Sequence, residues 1–138
     1  MKAITFTLLM LFSITASAVG YKACYTGNWY EFNGEGISLD VVSSERIVGQ
    51  FYGYATDNRN RWYSLDAGAS GRGTLYTTDN GMRLADIGSF SLDFVDNDTV
   101  IFVFDIDYDI DEPGWCLATA QCTGERVMTR ITQPIDCE

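Results

Sequence analysis

Strict alternation of apolar and polar residues is the feature that most constrains the fold of this chain. Between residues 100 and 111 one row of alternate positions is apolar throughout, and from residue 105 onward the other row is acidic. The two rows are Val100, Phe102, Phe104, Ile106, Tyr108 and Ile110 against Asp105, Asp107, Asp109 and Asp111. Residues 37–41, 89–94 and 126–131 also alternate. Because successive side chains of a strand point to opposite faces, the pattern predicts β-strands, and no substantial helix is expected after residue 18.

One alternating segment allows a specific assignment of faces. Phe90, Leu92 and Phe94 are predicted to face the core, whereas the intervening Ser89, Ser91 and Asp93 are predicted to face solvent.

Turn-forming residues separate the alternating runs at near-regular intervals. Asn80-Gly81 is the sharpest signal, because a type I′ hairpin needs positive φ at both central positions. The strands are predicted at 25–32, 36–42, 46–55, 61–66, 73–78, 82–86, 88–95, 99–108, 115–119 and 125–132. The fold class is therefore all-β: an antiparallel meander of about 8–10 short strands that forms a small barrel, with a β-sandwich as the alternative.

The first eighteen residues have the layout of a secretory signal peptide. Lys2 precedes an apolar run, which ends before the small-residue cleavage site Ala16-Ser17-Ala18. The run is too short to span a bilayer. We therefore expect cleavage to leave one β-barrel-like domain, residues 19–138, in a secreted or periplasmic location and without membrane insertion.

The four cysteines are even in number and follow this export signal, which predicts two disulfides. Three pairings are possible. We favour Cys116–Cys122, which would staple a short turn, and Cys24–Cys137, which would tie the chain ends together. A zinc site built from the four thiolates is the competing interpretation, but it lacks any CxxC spacing.

Composition excludes several kinds of chemistry. The net charge of −10 repels phosphate backbones, so nucleic acid is not an expected partner. The chain has no histidine, which rules out Ser–His–Asp and Cys–His sites and removes the commonest metal ligand. We therefore predict that the protein is not an enzyme, with no catalytic residue, no metal ligand and no cofactor.

Carboxylates are concentrated in one run, Asp105, Asp107, Asp109, Asp111 and Glu112. We interpret it as a solvated outer face that prevents edge-to-edge aggregation, with weak calcium binding as the alternative. The EF-hand pattern fails, because Ile110 stands at its glycine position and Cys116 at its bidentate glutamate position. Glycoside hydrolysis would need two carboxylates facing across a cleft, and no pair is marked for that role.

Aromatic residues are the better functional clue. Tyrosine and tryptophan combine a flat apolar face with a polar tip, which suits sugar stacking or the mouth of a ligand cavity. The alternative is that the rings fill the barrel and cover its ends. Because neighbours on a strand alternate faces, one residue of Trp29/Tyr30 and one of Trp62/Tyr63 should lie outside the core or at its rim. If the rings serve recognition, these exposed residues should lie near a common depression with Tyr52 or Tyr54. The candidate ligand-binding residues are Trp29, Tyr30, Tyr52, Tyr54, Trp62 and Tyr63.

Four short stretches occur in a recognisable order. They are Thr26-Gly27-Asn28-Trp29-Tyr30, Gly34-Glu35-Gly36-Ile37-Ser38-Leu39, Phe51-Tyr52-Gly53-Tyr54 and Arg61-Trp62-Tyr63. This order resembles a group of uncharacterised small secreted bacterial β-domains with a G-x-W-Y strand, a G-x-G turn and a later W-Y strand. The resemblance covers residues 26–63 and implies fold and export, with no activity. The opening strand also resembles those of avidin-like and lipocalin-like barrels, which implies architecture only.

These observations favour an exported, non-catalytic binding or interaction module. A glycan or small ligand would bind through an aromatic patch or the barrel mouth. The alternatives are a secreted inhibitor of a protease or other hydrolase, and a structural envelope protein. An open aromatic pocket would favour ligand binding, whereas a filled barrel with one protruding loop would favour inhibition.

Overall fold

A computed structural model describes residues 20–54, 60–107, 122–133 and 136–137. Eight antiparallel strands follow one another in order around a closed barrel, in which β1 pairs with β8. The strands are β1 Gly27–Tyr30, β2 Gly36–Ser43, β3 Arg46–Tyr54, β4 Asn60–Gly68, β5 Arg72–Asp79, β6 Met82–Phe94, β7 Thr99–Ile106 and β8 Thr123–Arg130. A short 3₁₀ turn, Ala23–Tyr25, precedes β1. The predicted all-β meander is confirmed.

No helix in this part of the chain is long and apolar enough to cross a membrane.

Strand β6 corrects one predicted boundary. The segments 82–86 and 88–95, predicted as two strands, form one continuous strand of 13 residues. Its register against β5 shifts between Leu75 and Tyr76 and again between Thr77 and Thr78. Each bulge inserts an extra residue that reverses the alternation without ending the strand, so the sequence pattern resembles a break. The predicted strand at 115–119 lies outside the described residues.

The turn that joins β5 to β6 has the predicted backbone. Asn80 has φ 49° and Gly81 has φ 78°, so both central residues have the positive φ that a type I′ turn requires.

The predicted faces of β6 and β7 are confirmed where the structure describes them. Phe90 and Leu92 are buried and Phe94 packs half-buried against the core, while Ser89 and Asp93 are exposed. On β7 the apolar row is buried over Val100, Phe102, Phe104 and Ile106, and Asp105 is exposed. Asp107, just after β7, is also exposed, and residues 108–112 of the acidic run lie outside the described residues.

Aromatic side chains fill the middle of the barrel. Phe51 lies between Tyr63 and Phe102, with ring centroids 5.5 and 4.8 Å away, and Phe104 is 5.8 Å from Phe102. All four side chains are at most 1% exposed. At these separations the rings are in contact, so the barrel centre is a packed core.

Strand β8 turns its two arginines inward. Val127 and Ile131 are 55% and 66% exposed, whereas Met128 and Arg130 are buried. The Arg130 guanidinium donates hydrogen bonds to the carbonyl oxygens of Cys24, Thr26 and Asn97 and lies 4.2 Å from the Trp29 ring centroid. Burial lowers the pKa of Arg130. These partners replace the hydration that a buried cation loses, which explains why a charged residue can occupy an interior position.

The N-terminal segment covers one end of the barrel. Tyr25 stacks on Phe94 with ring centroids 3.8 Å apart, and its carbonyl accepts a hydrogen bond from Trp29 Nε1 at 3.3 Å. Cys24 and Cys137 form a disulfide with a Cα–Cα distance of 4.9 Å, so this predicted pairing is confirmed. Cys122 is also disulfide-bonded, but its predicted partner Cys116 lies outside the described residues.

Candidate ligand-binding surface

The barrel separates the two residues of each adjacent aromatic pair. Trp29 is 1% exposed and Tyr30 is 38% exposed; Tyr63 is 0% exposed and Trp62 is 58% exposed. The prediction that one residue of each pair lies outside the core is confirmed. Trp29 and Tyr63 are scaffold residues, which leaves Tyr30 and Trp62 as accessible candidates.

Strand register aligns the accessible rings. Tyr30 of β1 pairs with Gly36 of β2, Gly36 pairs with Tyr52 of β3, and Tyr52 pairs with Trp62 of β4. We call Tyr30, Tyr52 and Trp62 the aromatic row. It crosses three inter-strand spacings on the outer face, or about 14 Å. Tyr54 is the last residue of β3, and its side chain lies outside the described residues.

Gly36 allows the Tyr52 ring to lie flat on the sheet between Tyr30 and Trp62. A Cβ atom at position 36 would be 2.5 Å from Tyr52 Oη and 2.6 Å from the ring carbons. Only a hydrogen fits under the ring. On the other side, the Tyr52 and Trp62 ring centroids are 5.2 Å apart with planes tilted by 42°. The Tyr52 and Trp62 rings are therefore in contact, and the Tyr52 ring covers the position on β2 that pairs with Tyr30.

A second row of outward side chains runs beside the aromatic row. On each strand its residue is two positions away from the residue of the aromatic row or, on β2, from Gly36. Asn28 pairs with Ser38, Ser38 with Gln50, and Gln50 with Ser64. We call these four residues the polar row. Asn28, Ser38 and Gln50 are exposed, and Ser64 is buried. The outer face of β1–β4 thus places uncharged amide and hydroxyl groups beside three rings.

The barrel interior contains an ion pair that the sequence analysis did not identify. Arg126 Nε lies 2.5 Å from Glu35 Oε2, and the two side chains are 12% and 9% exposed. The Arg126 guanidinium carbon is also 5.3 Å from the Phe104 ring centroid. The pair ties the turn between β1 and β2 to β8, beside the short ladder that closes the barrel. Removing either partner would leave a buried charge, so we assign the pair a structural role.

Tyr63 contributes to this interior rather than to a binding surface. Burial raises its pKa to about 12, with Arg61 opposing the shift and Glu35 adding to it. A hydroxyl with such a raised pKa stays neutral and cannot act as a base at physiological pH.

The rest of the described surface offers a groove and no metal centre. A groove of about 370 Å³ lies on β5–β7 between Arg72, Ser89 and Asp105, away from the aromatic row. Within the described ranges, no group of three or more histidine, cysteine, aspartate or glutamate residues is arranged to hold a metal ion.

Comparison of the chain with protein-family models, characterised proteins and solved structures gives no match. The resemblance to small secreted bacterial β-domains therefore stays a prediction, and function is inferred from the geometry of the surface.

Proposed function

We propose that the chain is an exported, non-catalytic binding module that holds a glycan-like ligand on the aromatic row. The observation that carries the proposal is the register that aligns Tyr30, Tyr52 and Trp62 on one outer face. The exposed Tyr30 and Trp62 rings and the half-buried Tyr52 ring offer flat apolar faces, and their hydroxyl and indole N–H groups offer hydrogen bonds at the edges. That combination suits the faces and rims of sugar rings.

Packing of the interior favours the outer surface over the barrel mouth as the site. Phe51, Phe102 and Phe104 occupy the barrel centre and are essentially inaccessible. A ligand that entered the centre would have to displace rings from a packed core, whereas the aromatic row is accessible without rearrangement.

The disulfide supports the proposed location. Cys24 and Cys137 are bonded, and disulfides persist in oxidising compartments. Together with the predicted signal peptide at residues 1–18, this favours secretion or the periplasm.

Tryptophan fluorescence provides the direct test. Titration with a panel of oligosaccharides and small hydrophobic molecules should perturb the emission of the wild-type protein, and Trp62→Ala should remove most of the change. Leu84→Ala is the matched control, because Leu84 is also an exposed apolar residue, at 69%, but lies on β6 outside the row. Failure of every ligand to perturb the emission, together with no detectable binding by equilibrium dialysis, would refute the proposal.

Inhibition of a protease or other hydrolase is the second candidate, favoured by the β5–β6 hairpin. The β4–β5 ladder ends at Ser64↔Tyr76 and the β6–β7 ladder at Gly88↔Ile106, whereas β5–β6 pairing continues to Asp79↔Met82. Residues 78–86 are exposed, including Met82 at 72%. A filled barrel with one projecting hairpin could insert that hairpin into an enzyme cleft.

The inhibitor candidate makes a separate prediction. Inhibition of secreted proteases or glycosidases should be weakened by Met82→Ala and left unchanged by Trp62→Ala, the reverse of the result expected for ligand binding.

A further inference from the structure

We propose that the ligand of the aromatic row is a neutral, linear oligosaccharide that lies across β1–β4 and donates and accepts hydrogen bonds along the polar row. This inference rests on the proposed function and specifies the class of ligand. Its physical basis is the pairing of two parallel rows, one of rings and one of uncharged hydrogen-bonding groups, on the same face.

Charge on the surface selects against an acidic glycan. None of the eight residues in the two rows and their connecting Gly36 is charged at neutral pH, while the chain as a whole carries −10. The arginines of β8 are directed inward to Glu35 and to backbone carbonyls. Arg46, the cation on the neighbouring part of β3, is paired with Asp66 at 2.9 Å. A uronic acid or sulfate group would therefore meet a negatively charged protein, and the arginines of β8 and Arg46 are already paired with other groups.

Hydrogen-bonding capacity selects against a purely apolar ligand. The Asn28 and Gln50 amides are exposed, and each offers donors and an acceptor. Two residues along a strand correspond to about 6.6–7 Å, so these groups lie beside the rings rather than beneath them. A hydrophobe that covered both rows would desolvate the amides without replacing their hydrogen bonds, which costs free energy. Sugar hydroxyls would replace them.

The length of the row selects an oligosaccharide over a monosaccharide. Tyr30 and Trp62 are separated by about three strand spacings, about 14 Å, and the Tyr52 ring over Gly36 bridges the interval. One sugar ring can contact only part of this surface. Affinity should therefore rise with chain length until the ligand spans the row.

Isothermal titration calorimetry of the exported protein tests the inference with neutral oligosaccharides of one to five sugar units. A uronic-acid oligosaccharide of matched length and a small aromatic hydrophobe serve as comparison ligands. Neutral chains should bind with affinity that increases with length and changes little with salt concentration. Gln50→Ala should weaken binding about 2- to 12-fold, as expected for one hydrogen bond.

Position 36 allows a test that removes no ligand-contacting side chain. Gly36→Ala places a Cβ against the end of the flexible Tyr52 ring and should tilt the ring off the sheet. Binding should weaken about 5- to 150-fold, the range for losing a packed interface anchor. Leu84→Ala should bind as the wild type does, and circular dichroism should show that all variants are folded.

The outcomes distinguish this inference from the proposed function. Binding of the acidic glycan or the hydrophobe in preference to neutral chains, with sensitivity to Trp62→Ala, would overturn the ligand class and leave the binding surface in place. Equal affinity for all chain lengths, or no effect of Gln50→Ala and Gly36→Ala, would also overturn it. Absence of binding by every ligand would refute both proposals.

Discussion

The inner and outer faces of β1–β4 use the same residue types for different purposes. Trp29 and Tyr63 lie inside the barrel, and their chain neighbours Tyr30 and Trp62 lie outside it. Strand alternation alone separates them. An inner ring loses its entire hydration shell on folding and stabilises the barrel, whereas an outer ring retains surface for a partner. Substitutions on the two faces should therefore affect different measurements.

The largest effect on stability is expected from the Trp29/Tyr30 pair. Trp29→Ala should reduce the free energy of unfolding by about 3–5 kcal/mol, because it opens a cavity and removes the contact with Arg130. Tyr30→Ala should cost about 1 kcal/mol or less. Urea denaturation measures both. Similar losses of unfolding free energy in the two variants would contradict the assignment of Trp29 to the inner face and Tyr30 to the outer face.

Strand β6 extends the comparison to the opposite side of the barrel. Leu92 is 4% exposed, and Leu92→Ala should cost roughly 2–5 kcal/mol by urea denaturation. Its neighbour Asp93 faces solvent, so Asp93→Ala should change stability by no more than about 0.5 kcal/mol. A loss below about 1 kcal/mol for Leu92→Ala would show that the inner face of β6 is assigned wrongly.

Tyr63 gives the stability of the barrel interior a pH dependence. Its pKa is raised by burial to about 12, so folding favours the neutral phenol. The associated stability is fully present below the unfolded-state pKa of 10.0 and is lost as the pH rises toward 12. By pH 12 the loss should be about 2 kcal/mol, since one pKa unit corresponds to about 1.4 kcal/mol and the folded protein is still half protonated at its own pKa.

Urea denaturation at pH 9 and pH 12 tests this expectation. Tyr63→Phe should reduce the alkaline loss of stability by that amount, and the exposed-ring control Tyr30→Phe should leave it in place. An identical alkaline decline in wild type and Tyr63→Phe would contradict the interior assignment of the hydroxyl.

Local patterns were sufficient to predict the strands and the general position of the rings. Alternation over 89–94 reports directly which side chains face the core, because one row there is apolar and the other is polar. Over 100–106 the outer row begins with Ile101 and Val103, and Asp105 is the residue that marks it as the outer face. Asn80-Gly81 defined its hairpin because few residues tolerate positive φ. The same logic predicted that one ring of each adjacent pair would be exposed.

Two features depended on contacts distant in sequence and could not be read from local pattern. Hydropathy would place Val127 and Ile131 inside, but Arg130 occupies the interior because carbonyl oxygens from the N-terminal segment and from the turn before β7 satisfy its guanidinium. The alignment of Tyr30 with Trp62 depends on the register of three successive ladders. Sequence indicates alternation within a strand, whereas register between strands is set by turns and packing.

Trp62→Ala tests most directly whether the outer row is a recognition surface. Its binding to the best neutral oligosaccharide and its free energy of unfolding should be measured on the same preparation, with Leu84→Ala as control. We predict that binding weakens by about 1–3 kcal/mol, the cost of losing an interface ring, while stability changes by about 1 kcal/mol or less. Unchanged binding, or a loss of stability as large as that of Trp29→Ala, would show that the outer rings are part of the scaffold and would contradict the account.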